Sequence, residues 1–159
     1  GSSRCVIDGL GCANGLGWSP DGKTMYFIDT PSRAVWAFDY DEKAGEIDLN
    51  SRRTVVDFTG FAPEEGGPDG MTVDAEGKLW VAQWGGCRVC CYDEITGEKL
   101  MQVDVPAPCT SCPTFGGEKL DKLFITTAGF GKEKFPEAGS LFVADVGVCG
   151  RKANRFGRE

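Results

Sequence analysis

Apolar residues recur at alternate positions in short runs, and each run is closed by a cluster of Gly, Pro, Asp or Asn. This is the pattern of half-buried strands joined by tight turns. Residues 34–40, Ala-Val-Trp-Ala-Phe-Asp-Tyr, alternate most cleanly and predict one strand. Another is predicted over 24–30, entered through Ser19-Pro20-Asp21-Gly22-Lys23, where Pro20 pre-sets the turn and Gly22 supplies the permissive position. Gly15 to Ser19 precede that turn as a first strand, and residues 41–46 lead into a fourth, over 47–58.

The same plan then returns. Residues 69–74, 79–84, 88–92 and 100–105 read as four strands, with turns at 75–78 and 93–98. A third copy follows at 111–117, 123–127 and 140–145, its fourth strand weak or absent. A period of roughly 40 to 55 residues with four strands per repeat predicts an all-β fold, a β-propeller with about three blades in this chain. Arg4 to Asp8 form one more predicted strand, with no earlier partner, and fit the outer strand of a preceding blade. The expected division is a scar or leader at 1–3, a partial propeller at 4–150 and a basic, solvated tail at 151–159 carrying Arg151, Lys152, Arg155 and Arg158. Gly1-Ser2 reads as a cloning scar, and the exposed sheet edges of a partial ring are a liability.

Composition narrows the function. The 159 residues are 41% hydrophobic and 26% charged, enough for a real core, and the net charge is −7 with no histidine. Nucleic acid and anionic membranes both require a concentrated positive face, so neither is expected as a partner. A divalent cation or a neutral small molecule suits the charge better. No apolar run approaches the ~20 residues of a membrane span. Eight cysteines accompany 10 Phe and 4 Trp, so the core needs no staples, and reduced thiols in the cytoplasm are expected.

Candidate chemistry centres on Gly67-Pro68-Asp69-Gly70-Met71, where a lone carboxylate stands between a proline and a glycine. Pro-Asp-Gly is also a common turn. Asn14, in Cys12-Ala13-Asn14-Gly15-Leu16, holds the equivalent position one repeat earlier, and this favours a site over a turn. Three other patterns compete less well. Cys87-x-x-Cys90 and Cys109-x-x-Cys112 have zinc-site spacing, but Cys90 and Cys91 lie inside a strand-like run rather than on a tight turn. Asp39 and Asp41 suggest a calcium loop, yet Lys43 occupies its fifth position and the glycine falls one residue late, so a hairpin turn is expected. Gly129-Phe130-Gly131-Lys132 lacks the Ser or Thr of a phosphate loop.

Several runs together resemble the regucalcin, gluconolactonase and luciferin-regenerating enzyme (senescence marker protein) family. They are Asn14-Gly15-Leu16 with Trp18-Ser19, residues 26–30, Ala37-Phe38-Asp39-Tyr40-Asp41, Pro68-Asp69-Gly70-Met71, residues 74–82, Thr110-Ser111-Cys112 with Phe115-Gly116-Gly117, and Pro136-Glu137-Ala138-Gly139. The resemblance implies a six-bladed propeller with one divalent cation in its channel, Ca2+ or else Zn2+, Mg2+ or Mn2+ in the same oxygen-ligand site. It further implies hydrolysis of sugar lactones or related esters. By this resemblance Asn14 and Asp69 are metal ligands and Asp69 is also the catalytic general base. The family's glutamate ligand, a further asparagine and a substrate-binding arginine precede Asn14 and have no counterpart here, so the chain is expected to be the C-terminal half. A calcium-binding regulatory propeller without turnover is the alternative. A homodimer that completes the ring is a third expectation. Loops 59–67 and 129–137 are expected to face substrate and carry no readable specificity.

Overall fold

The computed structural model describes residues 1–153. Among them eleven strands form three antiparallel sheets. The first holds β1 (Ala13–Trp18), β2 (Thr24–Asp29), β3 (Ala34–Asp41) and β4 (Glu46–Asp57) in that order. The second repeats it with β5 (Gly67–Val73), β6 (Leu79–Trp84), β7 (Arg88–Tyr92) and β8 (Lys99–Asp104). The third has β9 (Thr110–Gly116), β10 (Lys122–Thr127) and β11 (Phe142–Asp145), without a fourth strand among the described residues. These are three blades of an open β-propeller. The inner strand β5 lies against β1 on one side and β9 on the other.

Two apolar seams join the blades. Ile28, Val35, Val56 and Phe58 of the first meet Met71, Leu79, Val81 and Tyr92 of the second. Trp80, Ala82, Val89 and Cys91 turn the other way, onto Leu123 and Ile125 of the third. Successive strand side chains point to opposite faces, so β6 has both faces covered, and this explains its unbroken apolar run Leu79-Trp80-Val81-Ala82. Buried Asp74 organises the turn before it. Its carboxylate accepts from the backbone N–H groups of Glu76 and Lys78 and from Trp80 Nε1, each at 2.9 Å.

The turn at 41–46 is a hairpin, as expected. Asp41 Oδ1 accepts from the N–H groups of Lys43 and Ala44 at 2.9 and 3.1 Å, and Gly45 takes a left-handed φ of 67°. Asp93 repeats the device with Ile95 and Thr96, ahead of Gly97 at φ 70°.

One expectation fails. Residues 4–8 form no strand. An isolated segment cannot satisfy its backbone by strand pairing without a neighbouring edge. Instead Ile7 and Leu10 pack on Met25, Phe27 and Phe38, on the outward face of the first blade, and Arg4 pairs with Glu46 at 2.7 Å. The basic segment is exposed at its described residues, 151–153, and Arg151 is also hydrogen-bonded to the first blade. Arg151 donates to the carbonyls of Trp18, Ser19 and Pro20 at 3.3, 3.0 and 3.2 Å, at the end of β1 and the start of the turn that follows it. Just before it, the Cys149 carbonyl accepts from Ala75 N–H at 2.9 Å, and Gly150 N–H donates to Leu120 at 2.8 Å, so residues 149–151 touch all three blades. Lys152 is exposed, whereas Arg155 and Arg158 lie outside the described residues. No helix among the described residues is long and apolar enough to cross a membrane.

Candidate metal centre

The inner strands share one irregularity. The β1–β2 register shifts between Ala13 and Leu16, the β5–β6 register between Pro68 and Met71, and the β9–β10 register between Thr126 and Thr127, opposite Cys112 and Thr110. A bulge re-aims the side chain it carries. Asn14 and Asp69 both lie within such stretches, at the same end of neighbouring inner strands. Asp69 is therefore a strand residue, and the turn reading of Pro-Asp-Gly is wrong: Pro68 pairs with Gln83 and Met71 with Val81.

The glycines that follow these residues have a packing role. A Cβ on Gly15 would stand 2.7 Å from the Asp69 carbonyl oxygen, and one on Gly70 would run into the Ser111 carbonyl and Cys112. Neither glycine has a positive φ. Close approach of the next inner strand, not a left-handed backbone, therefore requires glycine at these positions. The contacts also align the three repeats: Asn14, Asp69 and Ser111 are equivalent.

The site brings together the two residues singled out in the sequence. Asn14 Nδ2 donates to Asp69 Oδ1 across the first two blades. It also donates to Thr30 Oγ1 at 3.1 Å, and Thr30 in turn donates to the Pro68 carbonyl at 3.0 Å. Upstream, the Asp29 carboxylate accepts from the N–H groups of Gly11 and Cys12 at 3.1 and 2.8 Å and so fixes the entry to β1. The entry to β5 is held by Arg33, whose guanidinium donates twice to Phe58 O and once to Gly66 O, and by Gln83 Nε2, which donates to Glu65 O at 2.9 Å.

Burial pushes the half-buried Asp69 carboxyl above the ordinary carboxylate range, and the Asn14 bond only partly opposes this. No Lys or Arg pairs with it among the described residues. A carboxylate and an amide side by side, desolvated and without a cationic neighbour, are oxygen donors suited to a hard divalent cation. They fit such an ion but do not complete its shell, since calcium takes 6 to 8 oxygens. Among the described residues no group of three or more His, Cys, Asp and Glu that could hold a metal ion gathers anywhere, at this site or outside it. Of the four cysteines of zinc-like spacing, Cys87 and Cys109 are neighbours, Cys87 N–H donating to Pro108 O at 3.4 Å, whereas Cys90 is buried in β7 and Cys112 is exposed on β9 beside Gly70.

Thr30 and Ser111 belong to the site and were not singled out. Ser111 Oγ shares a 2.8 Å hydrogen bond with Thr126 Oγ1. Ser111 is followed by Cys112 where the other two repeats have glycine, so the sequence pattern does not mark it, and nothing local marks Thr30. Loops 59–67 and 129–137 lie at the same end of the blades. Phe130 of the second packs edge-on against Trp84, with ring centroids 6.0 Å apart.

The family model described as "SMP-30/Gluconolactonase/LRE-like region" matches residues 1–129. Human regucalcin is 42% identical over 150 residues, which cover 91% of this chain and 48% of that protein. The chain spans about half the length of the curated relatives it matches. Among solved structures, the Agrobacterium tumefaciens regucalcin, described as a calcium-binding protein, superimposes with a TM-score of 0.84 at 31% identity, over 92% of this chain and 50% of that one. A Xanthomonas campestris gluconolactonase gives 0.60 at 33% identity, over 76% and 36%. With its three blades and its paired asparagine and aspartate, the chain belongs to the SMP-30/gluconolactonase/LRE-like family.

Proposed function

We propose that the chain is the C-terminal half of a divalent-cation-dependent hydrolase of sugar lactones or related esters. The observation that carries this reading is the meeting of Asn14 and Asp69, from equivalent positions of adjacent blades, at one end of the inner strands. Asn14 Oδ1 and the Asp69 carboxylate would hold the cation, Ca2+ or else Zn2+, Mg2+ or Mn2+. A cation bound there supplies Lewis-acid polarisation of a lactone carbonyl or of water. Asp69 would also accept the proton of the attacking water at its carboxylate. Ligation keeps that carboxylate ionised, which favours binding and lowers its basicity, so holding the cation is the stronger of its two roles.

Proton release during hydrolysis of a simple sugar lactone, corrected for spontaneous opening, tests the reading in the whole protein that carries this chain. Turnover with calcium, its loss with chelator, and a fall of at least about 100-fold in Asp69→Ala are expected. An undiminished rate in Asp69→Ala would end it.

A calcium-binding regulatory propeller without turnover is the second reading, favoured by the printed description of the Agrobacterium protein as calcium-binding. It predicts calcium binding that Asp69→Ala removes and no lactone hydrolysis above the blank. As partners we propose the lactone or ester itself and, for the chain alone, a second copy that covers its open blades. For its eight cysteines we propose a reducing, cytoplasmic setting, since a core with 10 Phe and 4 Trp needs no disulfide staples.

A further inference from the structure

Thr30 closes a hydrogen-bond path between the two proposed ligands. It opens a short 3-10 turn, Thr30–Ser32, directly after β2, and its backbone N–H donates to Cys12 O at 3.1 Å. The residue is thus tied by its main chain to the segment that enters β1. Its hydroxyl has one proton, and the Pro68 carbonyl at 3.0 Å has none to offer, so Thr30 must donate there. Towards Asn14, at 3.1 Å, Oγ1 can then present only a lone pair. Of the two ends of the amide, only Nδ2 can use it. The same nitrogen donates to the Asp69 carboxylate. Proton counting therefore fixes the amide in one orientation, and among the described residues no hydrogen bond reaches Asn14 Oδ1.

We propose that Thr30 is a positioning residue for the cation site: its lone pair selects the Asn14 orientation that leaves Oδ1 free as an oxygen ligand, while its proton clamps the Pro68 carbonyl and with it the backbone that presents Asp69. The inference rests on the reading of Asn14 and Asp69 as cation ligands. Serine preserves both halves of the device. Valine has nearly the same shape and removes both, leaving the amide held by Asp69 alone.

Two measurements on the whole protein separate this inference from the reading beneath it. In calcium-free protein, nitrogen-15 NMR follows the two Asn14 Nδ2 protons. The parent and Thr30→Ser should keep them slowly exchanging, and Thr30→Val should speed exchange by about 10-fold or more. In a calorimetric calcium titration, Thr30→Val should bind about 10-fold more weakly, with Thr30→Ser within roughly twofold of the parent. A Thr30→Val protein that matches the parent in both overturns the proposal. So does a Thr30→Ser protein as impaired as Thr30→Val, since the hydroxyl would then not be the cause. If the parent binds no calcium but the amide is still released in Thr30→Val, Thr30 is supported as the residue that sets Asn14, and the cation reading alone falls.

Discussion

A methyl group on Gly70 would meet the backbone carbonyl of Ser111 and the side chain of Cys112, and a backbone oxygen in a strand cannot step aside as a flexible side chain does. Gly70→Ala should therefore separate β5 from β9 and cost at least about 2 kcal/mol. Chemical denaturation would read this, and a loss under about 1 kcal/mol would show that the two strands can give. Gly15 stands in the same relation to Asp69, so the residue after each proposed ligand sets how closely the next blade comes. At this scale the sequence was legible where chemistry repeats. Asn-Gly and Asp-Gly at equivalent places pointed to Asn14 and Asp69, and the structure joins them. Thr30 was not legible, because its part depends on a carbonyl 38 positions away and on the count of a single proton.

At the scale of the element, strands β6 and β7 occupy the residues that their apolar pattern predicts, and the other boundaries move by no more than two residues. Alternation and turn chemistry are local, so they could be read directly. The predicted strand at 4–8 failed because a strand is a property of two segments, and only one was in view. The turn of the second blade carries a further pair of contacts, from Lys78 Nζ to Asp93 at 2.9 Å and to Glu94 at 2.6 Å. Glu94 and then Asp93 raise the Lys78 ammonium well above its usual range, and Lys78, helped by the N–H groups of Thr96 and Ile95, holds Asp93 well below the usual carboxylate range. A depressed carboxyl stabilises the fold above its unfolded pKa and loses that contribution as pH falls through the folded value. Stability should thus decline on acidification below about pH 4. Lys78→Met should flatten this limb, and thermal midpoints recorded down the acid range would check it. An acid limb as steep as the parent's would assign the effect to other carboxylates. The raised Lys78 acts at the other extreme: its contribution is full below the unfolded pKa and fades only as pH rises through the folded one.

For the whole molecule, the inner seams were foreseeable and the outer faces were not. The first blade turns Met25, Phe27 and Phe38 outward, with Ile7 and Leu10 against them. At the other end the third blade leaves Val143, opposite Phe124 on β10, 59% exposed. Met25, Phe27 and Phe38 are buried beneath their cover, so the third blade's open edge is the face with reason to associate, and the self-pairing proposed above predicts a particle of about twice 17.1 kDa in light scattering. A folded monomer at micromolar concentration would count against it. Arg151 bears on how the blades come together. It follows its three acceptors by 133, 132 and 131 positions, so this contact closes a longer loop than any pairing within a blade. While the chain is being synthesised, the first two blades exist long before Arg151 emerges. Their early association rests on the apolar seam from Ile28 to Tyr92 and on the bonds from Asn14 to Asp69, Thr30 to Pro68 and Arg33 to Gly66, with the Arg151 tie added only after translation has passed residue 151.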